Sequence, residues 1–103
     1  MNFNEYQDKA MSFRLDTATT MYALLNLSGE VGELHSLLAK RIRDGAPANF
    51  DELLLKELGD ILWSVAAIAT DYNYKLEDVA DANITKLESR KARNTLQGSG
   101  DTR

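Results

Sequence analysis

Asp44-Gly45-Ala46-Pro47-Ala48-Asn49 holds the chain's only proline and is the one clear loop signal in its interior. On either side, apolar residues recur at the 3.6-residue spacing of a helix. The spacing predicts one helix over residues 19–43 and another over 51–72, with Asn49 or Asp51 as N-cap. Helices joined by so short a connection pack antiparallel. Further out, residues 4–13 predict a first helix, interrupted by Arg14-Leu15-Asp16. Asn73-Tyr74-Lys75 makes a turn, and residues 76–96 predict a fourth helix. The expectation is an all-α, four-helix bundle with a central antiparallel hairpin. Residues 1–96 form the domain, and the glycine-rich tail 97–103 is flexible.

The hairpin gives two acidic pieces a shared address. Glu30-Val31-Gly32-Glu33 lies before the loop and Glu57-Leu58-Gly59-Asp60 after it. Residues three apart are neighbours on a helix, so each piece projects two carboxylates side by side. Glu30 and Asp60 are centred on residue 45, and so are Glu33 and Glu57. A symmetric hairpin therefore brings all four to one level. The expected apolar sector of the second helix is Leu24, Leu27, Val31, Leu34, Leu38 and Ile42. That of the third is Leu54, Leu58, Ile61, Leu62, Val65 and Ala69. Glu30 and Glu57 fall at the edges of these sectors. Crowded carboxylates resist ionising, and a hard, oxygen-preferring dication relieves that, which favours Mg²⁺ or Mn²⁺ over zinc.

Composition narrows the chemistry. With 103 residues there is room for one core. A formal charge of −4 speaks against gripping a nucleic-acid backbone, although bound cations still allow a nucleotide substrate. There are no cysteines, which removes disulfides, Cys-liganded zinc and thiol catalysis, and one histidine rules out a multi-His site within a chain. No apolar run is long enough to span a bilayer, and the N-terminus lacks a signal-peptide pattern, so a cytoplasmic setting is expected.

The stretches Leu27-Ser28-Gly29-Glu30-Val31-Gly32-Glu33-Leu34 and Lys56-Glu57-Leu58-Gly59-Asp60-Ile61-Leu62-Trp63 resemble the paired acidic signature of MazG-like proteins. These belong to the all-α nucleoside triphosphate pyrophosphohydrolases. The likeness extends through Ala82-Asn83-Ile84-Thr85-Lys86-Leu87 and Arg90-Lys91-Ala92-Arg93 to Gly98-Ser99-Gly100-Asp101-Thr102-Arg103, an ending similar to short phage and bacterial members. The resemblance implies a MazG-like bundle and Mg²⁺-dependent cleavage between the α- and β-phosphates of a nucleoside triphosphate, deoxynucleotides foremost. It makes Glu30, Glu33, Glu57 and Asp60 metal ligands and catalytic residues, and it implies homodimers or homotetramers. Gly29 stands where some dimeric dUTPases carry a further acidic residue, a departure from that subgroup.

Other residues are candidates for substrate contact. Asn83 falls within the apolar stripe of the fourth helix, where a buried amide needs a partner: a core hydrogen bond or a substrate contact. Lys86 and Arg90 flank the same face and are candidates for phosphate, or else solvated charges. Lys40 lies two turns beyond Glu33 and is a further phosphate candidate. Trp63 points away from the predicted core, which suggests a subunit interface, and His35 reads as structural or interfacial. The rival expectation is a helical interaction module without catalysis.

Overall fold

In a computed structural model, which describes all 103 residues, the chain forms four helices and no strand. They are α1 (Phe3–Met11), α2 (Thr20–Asp44), α3 (Phe50–Asp71) and α4 (Leu76–Ala92). The long α2–α3 hairpin is the scaffold. α1 and α4 pack on α3 and on each other, whereas α2 touches only α3, so the bundle is open along its outer sides. No helix is long and apolar enough to cross a membrane.

Local chemistry sets the helix ends. Asn2 caps α1 by accepting the Glu5 amide at 2.9 Å, and Thr19 caps α2 through the Tyr22 amide at 3.3 Å. Gly45 ends α2 at φ +83°, a backbone conformation that a Cβ would strain. Asn49 occupies the cap position of α3 without a side-chain bond, so Asp51 and Glu52 in the first turn complement the helix dipole instead. α3 and α4 both stop at a left-handed asparagine, Asn73 (φ 62°) and Asn94 (φ 57°). At each, the next amide reaches back to a carbonyl of the last turn: Tyr74 to Ala69 at 2.8 Å, Thr95 to Arg90 at 2.7 Å. This second stop ends α4 at Ala92, four residues short of the expected end.

Three partly buried polar links fix the helices to one another. Asn26 on α2 donates to Ser64 on α3 at 3.1 Å, and Ser64 is fully buried. Asn26 and Ser64 are also centred on residue 45, so this bond establishes the symmetric register that the acidic pairs require. Gln7 on α1 donates to Thr70 Oγ1 and the Tyr74 carbonyl while accepting the Leu76 amide at 2.7 Å, so one side chain joins α1, α3 and the start of α4. Arg14 grips Asp71 with two bonds of 2.7 and 2.8 Å, and Thr20 donates to the same carboxylate.

The core is made of small residues. Its buried apolar members are Ala10, Ala23, Ala66, Ala67, Ala69 and Leu76. The stripe of α2 that meets α3 runs through Ala23, Asn26, Leu27, Glu30, Leu34 and Leu37, whereas Leu24, Leu38 and Ile42 are exposed, as is Leu58 on α3. The α3 sector is met at Leu54, Ile61, Leu62, Val65 and Ala69, while on α2 only Leu27, Val31 and Leu34 of the expected six are shielded, and Glu30 sits inside the contact, not at its edge. Trp63 also departs from expectation: half-buried under α1, it donates its indole N–H to the Ala10 carbonyl at 3.1 Å. Its polar atom is used within the chain, not held out for a partner.

Candidate functional site

Glu30 and Glu33 lie one turn apart on α2, and Glu57 faces them from α3 at the same level. One carboxylate oxygen from each falls within 4.8 Å of the others. Glu30 and Glu57 are half-buried, and each has an Oε2 shielded from solvent with no hydrogen-bond partner. Burial pushes both carboxyls above their ordinary range. Neighbouring charge adds to this, chiefly from Asp60 at Glu30 and from Glu33 at Glu57. Two orphaned anionic oxygens in a three-carboxylate cluster is a donor set suited to a hard divalent cation, with few alternatives for satisfying it.

Asp60 stands outside that 4.8 Å cluster, on the exposed side of α3. Its charge still reaches Glu30, Glu57 and the phenol of Tyr6, which burial and then Asp60 push up. The structure thus gathers three of the four predicted carboxylates tightly and leaves the fourth beside them.

An open cleft of about 450 Å³ begins at Glu33 and Glu57 and continues toward the hairpin loop, lined by Ser36, Lys40 and Arg41 among others. Lys40 lies in the same cleft as the acidic side chains. Arg41 was missed, although its eleven-residue offset from Glu30 puts it on nearly the same helix face. Its guanidinium lies over the Phe50 ring, 4.8 Å from the centroid. Carboxylates at one end and two cations further along suit a metal-bound, multiply charged anion.

The α4 candidates do not line this cleft. Asn83 is exposed, not buried, because no helix of the same chain covers the outer side of α4. Lys86 pairs with Asp101 at 3.2 Å, and Arg90 is buried beneath the C-terminal residues. His35 is exposed on α2.

Comparison with known proteins agrees with this architecture. No solved structure matches the chain. It is 41% identical over 86 residues to the Gene 37 protein of Mycobacterium phage L5, covering 80% of this chain and 75% of that one. The MazG nucleotide pyrophosphohydrolase domain matches residues 17–94, the span that contains Glu30, Glu33, Glu57 and Asp60. On that match, the chain belongs to the MazG nucleotide pyrophosphohydrolase family.

Proposed function

We propose that the protein hydrolyses nucleoside triphosphates, deoxynucleotides foremost, to the monophosphate and pyrophosphate in a Mg²⁺-dependent reaction. The carrying observation is the Glu30–Glu33–Glu57 cluster with its two orphaned oxygens, opening into a cleft that also holds Lys40 and Arg41. Glu30, Glu33 and Glu57 would hold the cation, with Asp60 joining from the rim, and Mn²⁺ is a reasonable substitute. When bound, the ion neutralises phosphate charge and lowers the pKa of water.

The chain's own groups supply the rest. Lys40 and Arg41 orient the phosphate chain along the cleft, and Arg41 is held in place by the Phe50 ring. A carboxylate at the edge of the cluster, Glu33 or Glu30, would orient the attacking water.

A second copy completes the protein in this reading, as a homodimer or homotetramer. The accessible surface is 7662 Å², against about 5,800 Å² for a compact monomer of this mass, an excess of about 1,900 Å². The radius of gyration is 16.5 Å, against roughly 13 Å expected. Surplus area of that size on each copy matches an obligate interface. Gly29, Gly32 and Gly59 support it: they sit mid-helix with no atom of their own chain beside the missing Cβ, a cost of about 1 kcal/mol each that a closely approaching partner would offset.

A panel of ribo- and deoxynucleoside triphosphates, assayed with Mg²⁺ for monophosphate and pyrophosphate, tests the activity. Glu57→Gln is expected to abolish turnover without unfolding the chain. Release of orthophosphate, or an unaltered rate in the variant, would overturn the assignment.

A further inference from the structure

Arg90 is the one charged side chain that the fold buries, at 4% exposure. What covers it is the chain's own C-terminus. Its Nη2 donates to the carbonyls of Asp101 at 2.7 Å and Gly100 at 3.4 Å, and the Asp101 carboxylate lies 3.5 Å from it and 3.2 Å from Lys86 Nζ. Arg90 Nε is buried with no acceptor.

The covering loop is closed on itself. Arg103 donates to the carbonyls of Thr95 at 3.2 Å and Leu96 at 3.1 Å and also to that of Gly100, and its own carbonyl accepts from Arg93 at 2.9 Å. Gly98 permits the closure at φ +117°, where a Cβ would come within 3.2 Å of Arg103 Cδ. The Gly-Ser-Gly-Asp-Thr-Arg ending is thus a shaped loop that presents one carboxylate to two cations.

That carboxylate is a weak occupant. Asp101 is 87% exposed, and exposed ion pairs hold loosely. A guanidinium served mostly by neutral carbonyls, with one N–H unmet, is under-compensated. Phosphate oxygens suit it better, because they accept bidentate, charge-assisted bonds from arginine. The Asp101 carboxylate therefore has the sign and place of a phosphate without its donor-matching geometry. Lys86 and then Arg90 hold its carboxyl below the usual range, so it stays ionised.

We propose that the C-terminal loop is a tethered competitor, whose Asp101 carboxylate occupies Lys86 and Arg90 until the phosphate chain of a nucleotide displaces it. This rests on the proposed action on nucleotides and on Lys86 and Arg90 as a second phosphate contact, outside the lining of the cleft that holds Lys40 and Arg41. An occupied latch lowers apparent substrate affinity by the fraction of chains in which it is closed. Charge repulsion between the arriving phosphate and Asp101 drives the loop away.

The test uses the full-length protein and inorganic tripolyphosphate, read by ¹⁵N relaxation of the Gly98 and Gly100 amides and by titration calorimetry. In the free protein these amides are expected to be as rigid as the helices, and to become mobile as tripolyphosphate saturates. Asp101→Asn is expected to bind tripolyphosphate several-fold more tightly and to release its loop at a lower tripolyphosphate concentration than the parent. Orthophosphate, run in parallel, shows whether one phosphate suffices. A loop that stays rigid at saturation, or weaker binding by Asp101→Asn, overturns the proposal, the latter by making the loop a grip on substrate. The probe needs no turnover, so the two readings separate. Loop release without nucleotide hydrolysis sinks the enzymatic assignment alone, and hydrolysis with a rigid loop sinks the latch alone.

Discussion

Replacing Glu30 with glutamine keeps the side chain's shape and removes one charge from the cluster. Its carboxylate has like-charged oxygens within 4.8 Å. At that separation, in an effective dielectric of about 40–80 for a partly hydrated groove, one like-charge pair costs about 1–2 kcal/mol. Without divalent cations the variant is therefore expected to be more stable than the parent. Its melting temperature should rise by about 5–10 °C for a chain of this size. The pH dependence has a definite sign. A carboxyl raised above its ordinary value of 4.5 contributes stability that is fully present below that pH and lost as pH rises through the raised value. The metal-free parent should weaken from about pH 4.5 toward neutrality, and Glu30→Gln should flatten that decline. Saturating cation offsets most or all of that difference. Ligand at 100 times its dissociation constant stabilises by about 2.7 kcal/mol, and a tenfold weaker site keeps only about 1.4 kcal/mol. Differential scanning fluorimetry at fixed protein concentration, with EDTA and with Mg²⁺ or Mn²⁺, reads both effects. A variant less stable than the parent in EDTA, with an undiminished metal shift, would refute the reasoning.

Other perturbations probe what holds the site in place. Asp71→Asn should destabilise by about 2–3 kcal/mol in urea titration, because the two-bond link from Arg14 loses its charged acceptor. Asp71 is held below its ordinary value of 3.8 by the Arg14 hydrogen bonds, so its contribution persists above that pH and disappears as the solution is acidified further. The parent's acid unfolding below pH 3.8 should therefore be steeper than the variant's. Gln7→Ala should cost about 2–3 kcal/mol and speed amide exchange at Leu76, whose proton it accepts. Arg41→Ala should raise KM for the nucleotide about tenfold while changing kcat little, if its guanidinium has the proposed role of holding phosphates and not the reacting atoms. A kcat loss at unchanged KM would place it elsewhere in the mechanism.

The hairpin register was legible because it depends only on counting. Once the loop is placed at Gly45, the acidic pairs must meet level, and the Asn26–Ser64 bond falls on the same ladder. Helix starts were legible where a side chain caps its own turn, as at Thr19. What escaped was set by contacts distant in sequence. The buried face of α2 includes Ala23 and Asn26, which carry little weight in an apolar count, whereas exposed Ile42 and Leu38 carry much. Trp63 looked outward because α1, a short helix far away in sequence, is what covers it. Asn83 looked buried because its stripe is apolar, yet nothing in the same chain packs there. The end of α4 depends on Asn94 adopting a left-handed conformation, which a helical periodicity does not register.

Direct titration of Mn²⁺ into the metal-free protein, followed by electron paramagnetic resonance, asks whether the folded-back acidic helices trap a divalent ion. The parent is expected to bind Mn²⁺ competitively with Mg²⁺, and Glu33→Gln and Glu57→Gln to bind at least tenfold more weakly while keeping the parent's helical circular dichroism. Equal Mn²⁺ affinity in the parent and both variants would contradict the account.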